Sequence, residues 1–192
     1  MNENIRQFFD NLALNYKHEE SGVISELLDS LKLTKCKRVL DLGCGKGIIS
    51  FKLAEISEGE VVALDLSSKM IELAKQSGDN PKVKFVNEDF YEFEDKKKFD
   101  AIICFDAYPH FLNVEGFVNK AYGLLKEDGL LAIIHDCGRE KLNSHHHAHA
   151  LGVSRMLKSP KEEFEAFKKL FVPLELSESK NEYKLVMIKK ER

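Results

Sequence analysis

"VLDLGCGKG", residues 39–47, packs an apolar strand end, one acid and three glycines into nine positions. The run "RVLDL" (38–42) predicts a buried strand, and Gly43, Gly45 and Gly47 behind it predict a tight strand-to-helix turn. Glycine loses more conformational freedom on folding than any other residue, so three in five positions point to something that approaches the backbone closely. The spacing is G-x-G-x-G, with Ile48 where a dinucleotide fingerprint needs its third glycine for helix packing. Asp41 at the strand end would repel a pyrophosphate and attract an ammonium group. The stretch therefore favours a ligand with an amino-acid end over a dinucleotide.

Outward from it, short apolar runs alternate with helix-period segments, the pattern of a βαβ sheet. "EVVALDL" (60–66), "VKFVN" (83–87), "FDAIICF" (99–105) and "LLAIIHD" (130–136) read with 38–42 as strands buried on both faces. Residues 3–17 and 19–31 read as two helices that precede the first strand and can cover a ligand. "SSKMIELAKQSG" starts at a Ser67 or Ser68 cap and stops at Gly78, and "EGFVNKAYGLLKEDG" (115–129) predicts a helix that stops at Gly129. Ser159, Pro160 and Glu162 supply a cap, a first-turn proline and a capping-box acid. "PLELSESKNEYKLVMIKK" reads as a hairpin that closes the sheet with an antiparallel strand, for seven strands in all.

Three acids end three consecutive strands. Asp41 ends the first. Asp65, eighteen residues beyond Gly47, is placed to accept from both hydroxyls of a ribose. Asp89 follows the third strand, where it can accept from an adenine amino group with Phe90 against the ring. Ser67 and Ser68 already supply a helix cap, which frees Asp65 for a ligand. Cys44 reads as a small residue in the turn without the marks of a reactive thiolate.

The net charge of −3, from 29 basic and 32 acidic residues mixed along the chain, leaves no basic face for a nucleic acid. Four scattered cysteines without a CxxC pair fit reduced thiols in the cytoplasm. No apolar run approaches about 20 residues and the start has no signal-peptide pattern, so neither membrane spanning nor secretion is expected.

Taken together, these motifs resemble the class I S-adenosylmethionine (SAM)-dependent methyltransferases, and the resemblance covers nearly the whole chain. "VLDLGCGKG", "VVALDLSSKMIELAK", "VKFVNEDF" and "FDAIICFDAYPHF" are similar to that family's first four motifs in order, and "LLKEDGLLAIIHD" resembles its entry into strand five. The resemblance implies an α/β, Rossmann-like fold, with a seven-stranded mostly parallel sheet of order 3-2-1-4-5-7-6. It implies one methyltransferase domain over 1–192, with residues 1–34 as N-terminal cap helices and 137–158 as a lid insertion after strand five. It also implies SAM as cofactor, S-adenosylhomocysteine (SAH) as product and a small-molecule acceptor. The cofactor set it implies is Tyr16, Asp41, Gly43, Cys44, Gly45, Asp65, Leu66, Asp89, Phe90 and Phe105, with Tyr16 closing over the cofactor.

In open α/β sheets the ligand crevice lies beyond the carboxyl ends of the strands. Asp106, Tyr108 and His110 follow strand four, and His135 and Asp136 follow strand five, so five polar groups are expected on the acceptor rim. His110 and His135 are the candidate bases, since an imidazole titrates near neutral pH; the alternative is that each only hydrogen-bonds nearby backbone. "DAYP" is not the Asp/Asn-Pro-Pro-aromatic signature of methyltransferases acting on exocyclic amines.

"NSHHHAHA" (143–150) holds His145, His146, His147 and His149. On a helix His145 and His149 share a face; on a strand His145, His147 and His149 do. A polar lid over the acceptor is the favoured reading, and a metal held by His145, His147 and His149 is the rival. A SAM-binding subunit without catalysis is a further alternative.

Overall fold

The structure, a computed structural model, describes residues 2–14, 23–150 and 152–191. Its strands are β1 (Arg38–Leu42), β2 (Glu60–Asp65), β3 (Val83–Asn87), β4 (Phe99–Phe105), β5 (Leu125–His135), β6 (Phe171–Glu178) and β7 (Tyr183–Lys189). They form one seven-stranded sheet of order 3-2-1-4-5-7-6. β1 to β5 pair in parallel, and β7 runs antiparallel between β5 and β6. This is the Rossmann-like α/β architecture that the family resemblance implies. The order reverses between β1 and β4, and that switch point opens the crevice above their carboxyl ends.

The central strands β1, β2 and β4 and residues 130–135 of β5 are mostly apolar because both faces are covered. Leu40, Leu42, Ile102, Cys104, Leu131 and Ile133 pack on one face with Phe117, Phe167 and Tyr183. Val39, Ala101, Ile103, Ala132 and Ile134 pack on the other with Ile24, Leu28 and Leu53. Neighbouring residues of a strand point to opposite faces, so the apolar run feeds two cores at once. Each fully buried Leu, Ile or Phe contributes roughly 1.5–3 kcal/mol relative to exposure.

The helices are α1 (Asn2–Ala13), α2 (Val23–Asp29), α3 (Ile48–Ile56), α4 (Ser68–Ser77), α5 (Val114–Leu124), α6 (Arg139–His149) and α7 (Pro160–Phe164). The Ser67 hydroxyl caps α4 by accepting from the Met70 amide at 3.1 Å. Ser159 and Glu162 form the expected reciprocal capping box on α7. The stretch 15–22, where the two N-terminal helices were expected to run on, lies outside the described residues, and so does Tyr16.

α1 ends at Ala13 and α2 at Asp29, both earlier than expected, and the largest change of boundary is at α5. α5 stops at Leu124, and β5 begins at once, because wholly buried Leu125 pairs with Phe99 on β4. The pairing then jumps to Ala101 with Leu130, so residues 126–129 bulge out of the ladder, with Asp128 at a left-handed φ of 58°. "LKEDG" is thus a strand entry and not a helix end.

The elaboration after β5 is tied down at several points. The Gly138 amide donates to the Lys180 carbonyl at 3.0 Å and the Tyr183 hydroxyl to the Lys158 carbonyl at 3.2 Å, so both ends fasten to the β6–β7 hairpin. A β-carbon on Gly138 would stand 2.3 Å from the Ser179 carbonyl oxygen, which leaves room only for glycine. Between these ends, the Asn143 amide pairs both ways with the Leu157 backbone, at 2.8 and 2.9 Å. Arg155 forks onto buried Glu163 at 2.7 and 3.1 Å.

Candidate active site

A cavity of about 740 Å³ opens above the carboxyl ends of β1, β2 and β4, within the range of small-molecule sites. The glycine turn forms its floor. The Gly43 and Cys44 amides both donate to the Leu64 carbonyl, at 2.8 and 3.1 Å, which draws the turn against β2. Gly43 stands at φ 75°, and a β-carbon there would lie 2.5 Å from that of Ala107. Gly45, at φ 51°, has open space where its β-carbon would be, so its backbone is bare toward the cavity.

Asp41 is buried and accepts from the Ser50 hydroxyl at 2.6 Å. Burial pushes its carboxyl up to about 7, with Ser50 pulling it back and Asp65 adding to the rise. Half-buried Asp65 accepts from the Gly45 and Ser67 amides, both at 2.8 Å. Burial raises it to about 6, against those two donors and with help from Asp10. Asp10 reaches over from α1 to accept from the Ser67 hydroxyl at 2.6 Å. Two carboxylates thus stand at one end of the cavity, with Asp10, paired to Arg6 at 3.1 Å, behind Asp65, and a cation in the cavity would relieve the two that line it.

Asp89 and its neighbour Glu88 both line the cavity, and Asp89 accepts from the Tyr91 amide at 2.9 Å. Phe90 lines it too, packed at 5.6 Å on Phe111 and 5.4 Å on Phe117. Gly43, Cys44, Gly45, Leu66 and Phe105 complete the expected cofactor set within the described residues, and all of them line the cavity. Burial pushes the Cys44 thiol well up, away from thiolate reactivity.

The opposite end is lined by Asp106, His110, Asp136, His145, His146 and His149. Three residues expected to face the acceptor, two from the rim and one from the lid, are elsewhere. Tyr108 is wholly buried under the rim: its hydroxyl donates to Glu163 at 3.2 Å, and its ring packs on Phe117 and under the Arg155 guanidinium. His135 is also wholly buried, because the strand alternation sends it to the same face as Leu131 and Ile133, against Tyr183. Its Nδ1 lies 3.1 Å from an Asp106 oxygen but outside hydrogen-bond geometry, and neither ring nitrogen has a hydrogen-bond partner. It therefore cannot touch an acceptor in the cavity.

The third is His147. The segment 139–149 is a helix, which brings the His145 and His149 rings to 4.9 Å and turns exposed His147 away from the cavity. The strand-like trio of His145, His147 and His149 does not form, and among the described residues no group of three or more His, Cys, Asp or Glu side chains could hold a metal ion.

Sequence reasoning expected the N-terminal helices to cover a ligand but did not name the side chains that do the lining. Ile5, Phe8, Phe9 and Leu12 of α1 line the cavity, and their i, i+3, i+4, i+7 spacing was the available signal. Lys46, Phe111 and Lys141 also line it. Among the described residues no helix is long and apolar enough to cross a membrane.

Residues 33–188 match the family model of a methyltransferase domain. A malonyl-[acyl-carrier protein] O-methyltransferase of Acetivibrio thermocellus is 32% identical over 120 residues, covering 61% of this chain and 42% of that protein. A ubiquinone biosynthesis O-methyltransferase of Pelagibacter ubique is 30% identical over 130 residues, covering 65% and 52%. The chain thus spans about half the length of the curated relatives it matches. Among solved structures, the N-methyltransferase NodS of Bradyrhizobium japonicum in complex with SAH superposes with a TM-score of 0.74 at 14% identity, covering 98% of this chain and 100% of that one. A DhpI–SAH complex gives 0.74 at 18% identity, covering 98% and 96%.

Proposed function

Because the chain belongs to the methyltransferase-domain family, of the class I SAM-dependent kind, we propose that it transfers a methyl group from SAM to a small-molecule acceptor in the cytoplasm. The observation that carries this reading is a pair of carboxylates, buried Asp41 and half-buried Asp65, on adjacent strand ends around a bare glycine backbone. Such a floor suits a cationic amino acid joined to a nucleoside and is hostile to a pyrophosphate.

The residues present fit that cofactor. Asp41, Gly43 and Gly45 would hold the amino-acid end, Asp65 the ribose, and Asp89 with Phe90 the adenine. When bound, SAM supplies a methyl group on a positively charged sulfur, a leaving group that needs no protonation. The chain's own tasks are then to orient the acceptor, keep water out and take up a proton where the acceptor carries one. The α1 side chains Phe8, Phe9 and Leu12 make the water-excluding wall. Free cysteines at Cys36, Cys44, Cys104 and Cys137 accord with a reducing compartment.

The test is incubation with methyl-labelled SAM and a fractionated cytosolic extract, followed by mass analysis. Label in a small-molecule fraction is expected. Label in protein or nucleic acid would overturn the acceptor class, and SAM binding with no transfer to any fraction would make the chain a binding subunit.

A further inference from the structure

The acceptor end of the cavity carries two imidazoles in unusual states. His110 Nδ1 lies 2.9 Å from the Val153 carbonyl, which can only accept, so Nδ1 carries the hydrogen and Nε2 the lone pair. His146 is 7% exposed, lines the cavity, and its Nδ1 has no hydrogen-bond partner. The two ring centroids are 5.0 Å apart, and Phe9 packs edge-on against His110 at 4.8 Å. Burial pushes both imidazoles down to about 4, with each other's and His135's charge adding to the fall for His110, and His135's and His145's for His146. Both are neutral at pH 7.

The His146 Nδ1 has no accessible surface, so the lone pair on offer to a ligand is that of His110 Nε2, with the His146 ring beside it. Around the pair stand the Asp106 and Asp136 carboxylates and the apolar side chains of Phe9, Phe111 and Leu142, with Lys141 as the nearby cation. The surroundings are rich in hydrogen-bond acceptors and apolar walls, which suits a donor on an apolar body.

We propose that His110 and His146 form the acceptor subsite, and that the acceptor is an uncharged hydroxyl or amine on a small aromatic body whose X–H donates to an imidazole lone pair. This rests on the methyl-transfer reading. In that reaction the new bond is from the acceptor's oxygen or nitrogen to the methyl carbon, the carbon–sulfur bond breaks with its electrons going to sulfur, and the acceptor's proton leaves to an imidazole nitrogen. A permanently anionic acceptor meets two carboxylates, and an ammonium has no lone pair to attack with.

The test uses the SAH-loaded protein and four probes, phenol, aniline, benzoate and benzylammonium, titrated by ligand-observed NMR. Phenol or aniline should bind saturably and more tightly than either ion; which of the two wins distinguishes hydroxyl from amine. His110→Asn keeps a donor near Val153 and removes the ε lone pair, and His146→Phe keeps the ring. Each should weaken the neutral probe by about tenfold while SAH affinity holds. Tighter binding of benzoate or benzylammonium, no binding of either neutral probe, or unchanged probe affinity in both variants would overturn the proposal. Failure of the protein to bind SAH, read in its own titration, would overturn the methyl-transfer reading instead. A variant that lost SAH binding would be replaced by His110→Gln or His146→Leu in the same titration.

Discussion

The two ends of the cavity are built on different plans. The end floored by β1, β2 and the glycine turn uses backbone amides and short acids at strand ends, each within a few residues of a motif. The end above β4 and β5 uses side chains from α1, the β4 exit and α6, gathered from positions far apart in the chain. The first kind of site is fixed by the fold itself, so changing it disturbs folding and binding together. The second rests on side chains laid over a finished fold, where substitutions should alter the choice of ligand and little else.

The sharpest way to break that contrast is Gly43→Ala. A left-handed φ of 75° and a β-carbon 2.5 Å from that of Ala107 should together destabilise the protein by about 2–4 kcal/mol. Urea unfolding measures this, and a loss within about 0.5 kcal/mol would mean that the turn is not built into the fold as described. Asp65→Ala removes the acceptor of two backbone amides as well as the proposed ribose contact. SAM affinity should fall by roughly 1–3 kcal/mol in calorimetry, and an unchanged value would remove Asp65 from the site.

A pH series sharpens the role of Asp41. Its carboxyl, raised to about 7, is mostly neutral at pH 6 and ionised at pH 8. A ligand ammonium prefers the ionised form, so SAM affinity should rise severalfold over that range, less than the roughly tenfold gain in ionised Asp41 because an α-amino group, at about 7.7–8.0, itself loses its proton near pH 8. Asp41→Asn should flatten the profile, and an equally steep rise in that variant would move the dependence elsewhere. The smallest effect is expected at His147, which is exposed and turned from the cavity. His147→Ala should change neither stability, beyond about 0.5 kcal/mol, nor probe binding, whereas His146→Phe should weaken the neutral probe.

The same contrast explains what was legible in the sequence. β1 and β4 begin and end where their apolar runs do, since a strand covered on both faces is written mostly in Val, Ile, Leu and Phe, and half-exposed edge strand β3 matches its run of alternating Val and Phe. The acids at 41, 65 and 89 were readable because a strand end is a fixed place. The acceptor rim was read less well. Proximity to a strand end suggested Tyr108 and His135, but side-chain direction depends on alternation and on the turn that follows, and both point into the core. Likewise "HHHAH" carried no period that separates helix from strand, so only the fold could tell that His146 faces the cavity and His147 does not. The Leu125 boundary was hidden because "LLKEDG" suits a helix end as well as a strand entry, and tertiary pairing with Phe99 decided it.

The stretch from Gly138 to Ser159 is held like a clasp. Both its ends are pinned to the same hairpin, and the Asn143–Leu157 pairing closes it on itself. A substitution inside the clasp that spares these anchors should therefore reshape one wall of the chamber and leave the glycine turn and its acids in place.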